Sequence, residues 1–153
     1  MNGFYSKGEL NEMFPNIREI FLAHFEYLRK MYTGENLFKY FIEKLSQKMK
    51  VYYPSYCKVT NATTDAVIKR CNEDPKFKQY VERFYERYEC HIIGNYFSHV
   101  FQRVMRYPML FEELNKYVSN NDAKSDMYAG CREAWSCAKD TVQEVNRLCQ
   151  VGI

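Results

Sequence analysis

Gln102, Arg106, Met109 and Glu113 follow one another at steps of four, three and four residues. At about 100° per residue, that spacing draws them into one stripe along a helix. A methionine among polar side chains suits an adaptable binding surface. A plain solvated helix face accounts for the same spacing, and the residue types alone leave both readings open. Bond-making chemistry finds less support. The chain has no Gly-x-Ser-x-Gly elbow and no Gly-rich phosphate loop. Cys90, His91, His99 and Cys131 form the one set with metal-ligand chemistry. Cys90 and His91 are adjacent, however, so on a helix they point to different faces and make poor joint ligands. His24 and His99 read instead as core histidines. No metal site and no cofactor is expected. Lys44, Lys48 and Lys50 cluster with acids nearby, which fits a solvated face better than a membrane-surface helix.

The stripe has to be carried by something, and composition bounds what that is. The 153 residues fit one domain and can bury a core without crosslinks. Six glycines and four prolines are too few for a linker or a collagen-like chain. A net charge of +3, dispersed along the chain, does not argue for nucleic acid. No apolar run reaches the length of a membrane span, and the first residues lack the pattern of a secretory signal. The six cysteines include no Cys-x-x-Cys pair. Reduced thiols in a cytoplasmic protein are the expectation. Fourteen tyrosines and eleven phenylalanines imply large buried rings, with many hydroxyls at layer edges.

Apolar residues recur at three and four, never in strict alternation, so the expected class is all-α. Ser6-x-x-Glu9 is a capping box, and Pro15 interrupts and restarts the helix that it opens. Ile17, Ile20, Phe21, His24, Phe25 and Leu28 then follow helical spacing, up to a turn at Thr33-Gly34-Glu35-Asn36. Leu37 to Met49 forms the next helix. Pro54 is expected to break it, with Thr63-Thr64-Asp65 capping a short helix that ends near Cys71. Asp74-Pro75 caps another, with Phe77, Tyr80, Val81, Phe84 and Tyr88 on one stripe. Two long helices finish the chain, over 91–118 and 122–149, joined by a turn at Asn120-Asn121-Asp122. The first carries a seam of Ile93, Phe97, Val100, Val104, Tyr107, Phe111, Leu114 and Val118. The second carries Met127, Cys131, Ala134, Ala138, Val142, Val145 and Cys149. Such seams pack antiparallel, giving an elongated helical bundle, with Pro108 bending the first of the two.

The segment Phe101-Gln102-Arg103-Val104-Met105-Arg106-Tyr107-Pro108-Met109-Leu110-Phe111-Glu112-Glu113-Leu114 resembles the most recognisable part of the Dbl-homology domain. That domain is the exchange module of guanine-nucleotide exchange factors for Rho-family GTPases. Its pattern is roughly V-Q-R-x-x-[RK]-Y-P-L-L-L-[KR]-E-L. Leu10 to Ile20 resembles the family's "IFGNIEEI" helix start, and Val142 to Asn146 resembles the end of its last helix. Order and spacing agree for all three, across nearly the whole chain.

The resemblance implies an all-helical bundle and a Rho-family small GTPase as partner, gripped at its switch regions so that GDP leaves. It assigns the contacts to Gln102, Arg106 and Asn146, with Met109, Leu110 and Glu113 completing the patch. Arg106 would pair with a switch carboxylate, since its fork suits bidentate contact. The departures are Val100 where the family has Pro, and Glu112 where it has a basic residue. The family also begins with a long helix carrying an acidic residue, for which nothing before Ser6 suffices. The expectation is therefore a partial domain over 1–153, with apolar surface uncovered where that helix would pack. Further domains or a second copy would complete the bundle. The alternative function is a GTPase-binding or scaffolding module without exchange activity.

Overall fold

The computed structural model describes residues 3–88, 93–122 and 126–150, and all regular structure among them is helical. Helix α1 is Lys7–Met13, α2 Ile17–Tyr32, α3 Leu37–Tyr40, α4 Ser46–Glu73, α5 Pro75–Tyr88, α6 Ile93–Asp122 and α7 Asp126–Gln150.

Local chemistry starts these helices as expected. Ser6 caps α1: its Oγ accepts from the Glu9 amide at 3.2 Å, and the Glu9 carboxylate accepts from the Ser6 amide at 2.7 Å. Ser6→Ala is expected to cost about 1 kcal/mol. The loss should appear as faster amide exchange in α1, and an unchanged exchange rate there would remove the cap's role. Asn16 takes a left-handed backbone, φ 58°, and its side chain donates to Ser55 Oγ at 2.7 Å, docking the start of α2 on α4. Asp74 caps α5 by accepting from the amides of Lys76 and Phe77.

The expected break at Pro54 does not occur. Helical backbone runs without interruption from Leu37 to Glu73, through a wider π turn at Phe41–Leu45, with Pro54 buried inside it. The lost backbone bond is offset by what the rod buries on either side of the proline: Met49, Tyr53 and Tyr56 are almost wholly covered. Thr63 and Thr64 are not a cap either. Thr63 lies mid-helix, buried, and donates its hydroxyl to the Met13 carbonyl at 2.9 Å, while Thr64 donates to Thr60 within α4. Helix α6 continues through Asn120–Asp122, where a turn was expected. The connection beyond it, and the expected helix start at residues 91–92, lie outside the described residues.

Three pairs of neighbouring long helices run antiparallel, and α4 and α7, both antiparallel to α6, run parallel to each other. Glu26 of α2 pairs with Lys48 of α4 at 2.7 Å, while Asn16 reaches Ser55, so α2 and α4 are antiparallel. Phe41 meets Phe111 and Tyr56 Oη donates to the Phe97 carbonyl, so α4 and α6 are antiparallel too. The Cys131 thiol donates to the Phe111 carbonyl, and Cys149 shares a cavity with Ser98 and Phe101, which makes α6 and α7 antiparallel. Gly130 lets α7 close on α3: a Cβ there would lie 3.3 Å from the Phe38 ring. Phe97, Val104, Tyr107, Phe111 and Val118 of the expected α6 seam are buried, as are Cys131, Ala134, Ala138 and Val145 of α7. Leu114 and Met127 are exposed instead. The side chain of Ile93 is outside the described set. A second, smaller core joins Val67, Phe77, Val81 and Phe97 at the α4–α5 end. The α5 stripe is only partly interior: Tyr80 and Tyr88 are exposed.

Candidate protein-binding surface on α6

Helix α6 is held in register from behind. Tyr107 points inward, and its hydroxyl lies 2.7 Å from His24 Nδ1; Tyr53 Oη lies 2.6 Å from His24 Nε2. A neutral imidazole has one donor and one acceptor nitrogen, so one tyrosine donates to the ring and the other accepts from it. Burial, with a smaller push from the Arg103 cation, holds His24 down at about 4 from its ordinary 6.5. Burial likewise raises the Tyr53 and Tyr107 hydroxyls, which stay protonated. The Arg103 guanidinium lies over the Tyr107 ring at 5.4 Å. Three helices, α2, α4 and α6, are thus tied at one buried point, and the opposite face of α6 is fixed outward.

That face carries the sequence-derived stripe. Gln102, Arg106, Met109, Leu110 and Glu113 are all exposed, Met109 at 65%. Gln102 donates to Ser98 Oγ at 3.3 Å, which holds the amide along the helix. Glu113 accepts from Lys116 at 2.8 Å, and Lys116 also reaches Glu112 at 3.7 Å. Arg106 has no carboxylate partner among the described residues. Asn146 lies on α7 and is half-buried. It comes one turn before Cys149, whose thiol lines a cavity of about 250 Å³ with Ser98 and Phe101. Asn146 therefore stands at the level of the Gln102 turn of α6.

The surface is larger and more apolar than the stripe read from sequence. Met105, Leu114 and Tyr117 are exposed beside it. Tyr117 lies four residues beyond Glu113, on the same side of the helix, and that spacing was a usable signal. Leu114 fits the spacing of the seam, but toward the end of α6 the described residues leave it exposed. Such a patch, apolar with one unpaired cation, is suited to gripping a protein and has no group placed for covalent catalysis.

Other candidate chemistry does not assemble. Among the described residues no group of three or more His, Cys, Asp or Glu side chains is placed to hold a metal ion. Cys90 and His91 lie outside the described residues. His99, expected in the core, is exposed, while Cys131 is buried. Of the clustered lysines, Lys48 is tied to Glu26 of α2. No helix among the described residues is long and apolar enough to cross a membrane.

Comparison with solved structures agrees with this architecture. A human RhoA complex with the DH/PH fragment of PDZRHOGEF superposes with a TM-score of 0.83 at 13% identity, over 96% of this chain and 44% of the other. The linker-DH/PH domains of p115-RhoGEF give 0.79 at 18% identity, over 95% and 46%. PDZ-RhoGEF DH/PH domains with GTP-gamma-S activated RhoA give 0.81 at 12% identity, over 95% and 43%. The chain spans less than half the length of these structures, and at such identities they establish the fold. No curated protein matches by sequence. The RhoGEF domain family matches residues 1–146, almost the full length and including every site residue named above. With an all-helical bundle, an outward α6 stripe and that match in agreement, the chain belongs to the RhoGEF domain family.

Proposed function

We propose that residues 1–153 act as one domain that binds the switch regions of a Rho-family small GTPase and speeds GDP release, in the cytoplasm. The observation that carries this reading is the outward stripe of Gln102, Arg106, Met109, Leu110 and Glu113 on the helix that bears the family motif. The RhoGEF relatives whose structures contain RhoA support the choice of partner. Exchange needs no covalent step. A domain that binds the nucleotide-free GTPase more tightly than the loaded one must weaken nucleotide binding by the same factor. Arg106 supplies the charge-assisted contact to a switch carboxylate, Gln102 and Asn146 supply amide hydrogen bonds, and Met109 and Leu110 the apolar area.

The test is release of labelled GDP from Rho-family GTPases, together with binding to the nucleotide-free form. The domain should accelerate release from at least one member. Arg106→Glu should weaken binding by at least about tenfold, because it sets like charges against each other. Binding that survives Arg106→Glu would remove the α6 stripe from the interface. A second reading, binding without acceleration, is favoured by the open outer face of α2, which leaves apolar surface without a partner. It predicts a complex with unchanged GDP release.

A further inference from the structure

Cys57 on α4 and Cys149 on α7 are far apart in the sequence and meet in the fold. The Cys57 thiol donates to the Cys149 sulfur, and each side chain is half-buried. Both line the cavity of about 250 Å³ that Ser98 and Phe101 of α6 help to enclose. A molecule the size of water fills only a fraction of such a space, so a small oxidant has room to enter and the thiols have room to turn. The other described cysteines lack this setting. Cys131 is buried and donates to the Phe111 carbonyl, and Cys71 packs in the second core. Cys137 shares α7 with Cys149, but lies about 18 Å from it along the helix axis.

The two thiols are not equivalent. Burial raises both. For Cys149, the hydrogen bond from Cys57 and the Lys58 cation work against burial, so its thiolate forms first. For Cys57, burial is joined by the charge of Cys149 and by the proton it gives to that bond. Cys149 is therefore placed as the nucleophile, and Cys57 as the thiol that follows.

We propose that Cys57 and Cys149 form a peroxide-responsive thiol pair whose disulfide fastens the end of α7 to α4. The Cys149 thiolate attacks one peroxide oxygen and an S–O bond forms. The O–O bond breaks, and the departing hydroxide takes up the proton that Cys149 had released, leaving as water. Sulfur has lost two electrons and Cys149 is a sulfenic acid. The Cys57 sulfur then attacks the Cys149 sulfur. The S–S bond forms, the S–O bond breaks, and hydroxide leaves with the Cys57 proton as a second water. Two thiols and one hydrogen peroxide thus give one disulfide and two waters. In a reducing compartment such a bond is transient and reports on the oxidant. The crosslink closes a loop of about 90 residues, which restrains the unfolded chain. It lies one turn beyond Asn146, at a helix end, where fraying starts, so it sets how firmly that side chain is presented. The inference stands apart from the GTPase reading, since none of its readouts involves a GTPase.

The experiment treats the full chain with hydrogen peroxide and maps its peptides without reduction. One crosslinked pair should appear, carrying Cys57 and Cys149 and lacking two hydrogens. The oxidised chain should unfold about 10 °C above the reduced one, and dithiothreitol should reverse the shift. Amide exchange over the last turn of α7 should slow on oxidation. Cys149→Ser and, separately, Cys57→Ala should each abolish the crosslink and the shift, with folding of each variant checked by circular dichroism. Cys137→Ser should leave both intact. Three results would overturn the proposal. One is a bond of Cys149 to another cysteine, in the same chain or a second one. Another is oxidation of Cys149 to the sulfinic acid with no bond to Cys57. The third is a Cys57–Cys149 disulfide that changes neither the unfolding temperature nor the exchange of α7.

Discussion

Phe41→Ala is expected to lower the stability of the domain by about 3–5 kcal/mol. Phe41 sits in the π turn between α3 and α4 and is wholly buried. Its ring meets Phe111 edge-on at 4.7 Å, Tyr107 at 5.1 Å and Tyr27 at 6.0 Å. One side chain thus joins α2, the long α3–α4 rod and α6. Truncation removes the transfer energy of the ring and leaves a cavity among aromatic neighbours too large to collapse into it. Since small domains are stable by only about 5–15 kcal/mol, a large share of the population would unfold under mild denaturant. Urea unfolding followed by far-ultraviolet circular dichroism measures the change. Phe25→Ala is the comparator: its ring is half in water, and the loss should stay within about 0.5 kcal/mol. If the two variants unfold at the same midpoint, Phe41 does not organise this core.

The second large effect is acid sensitivity from His24. Burial, reinforced by Arg103, keeps its folded-state value at about 4, below the 6.5 of an exposed imidazole. The unfolded chain therefore takes up a proton that the folded chain refuses. The stability tied to neutral His24 is fully present above pH 6.5, declines as the pH falls toward 4, and is gone below that. The difference corresponds to about 3 kcal/mol. Structurally, a second proton would make both ring nitrogens donors and bury a charge, so the tyrosine that donates to the neutral ring would have to turn its hydroxyl and accept. His24→Gln keeps a donor and an acceptor without titrating. It should be less stable at neutral pH but should lack the decline between pH 6.5 and 4.5 that wild type shows. If the variant and wild type lose stability in parallel over that range, His24 is not its source; the Glu26 carboxylate, which Lys48 and Tyr40 hold below its usual range, adds a loss only at lower pH.

Losing the His24 tie would also bear on function. The Tyr107 end of the triad aims α6, so a domain weakened there should present Gln102 and Arg106 less rigidly. The same variant can therefore be carried through the GDP-release measurement.

Much of the helical plan was legible because helix signals are local. The Ser6 box, the Asp74 cap and the alternating seam of α6 each rest on residues within a turn or two of one another, and each is present. Pro54 shows the limit. A proline disfavours helix by a few kcal/mol, yet Tyr53 and Tyr56 beside it each bury a large ring, and burial from distant helices outweighs the local penalty. Leu114 and Met127 fail in the opposite sense: their spacing is right, but the described residues leave about half of each side chain uncovered.

The order of side chains along α6 alone determined that Gln102, Arg106, Met109 and Glu113 share one face opposite Val104, Tyr107 and Phe111, because a helix converts spacing into direction. The sequence determined the family as well, since the family match spans residues 1–146. Only the packed structure decided which of the two apolar faces of α2 is interior, at which level of α6 the Asn146 turn of α7 stands, and that Tyr53, His24 and Tyr107 meet. Those outcomes depend on contacts between residues tens of positions apart, whose energies are settled by which surfaces find a partner, and periodicity within one helix carries no information about that.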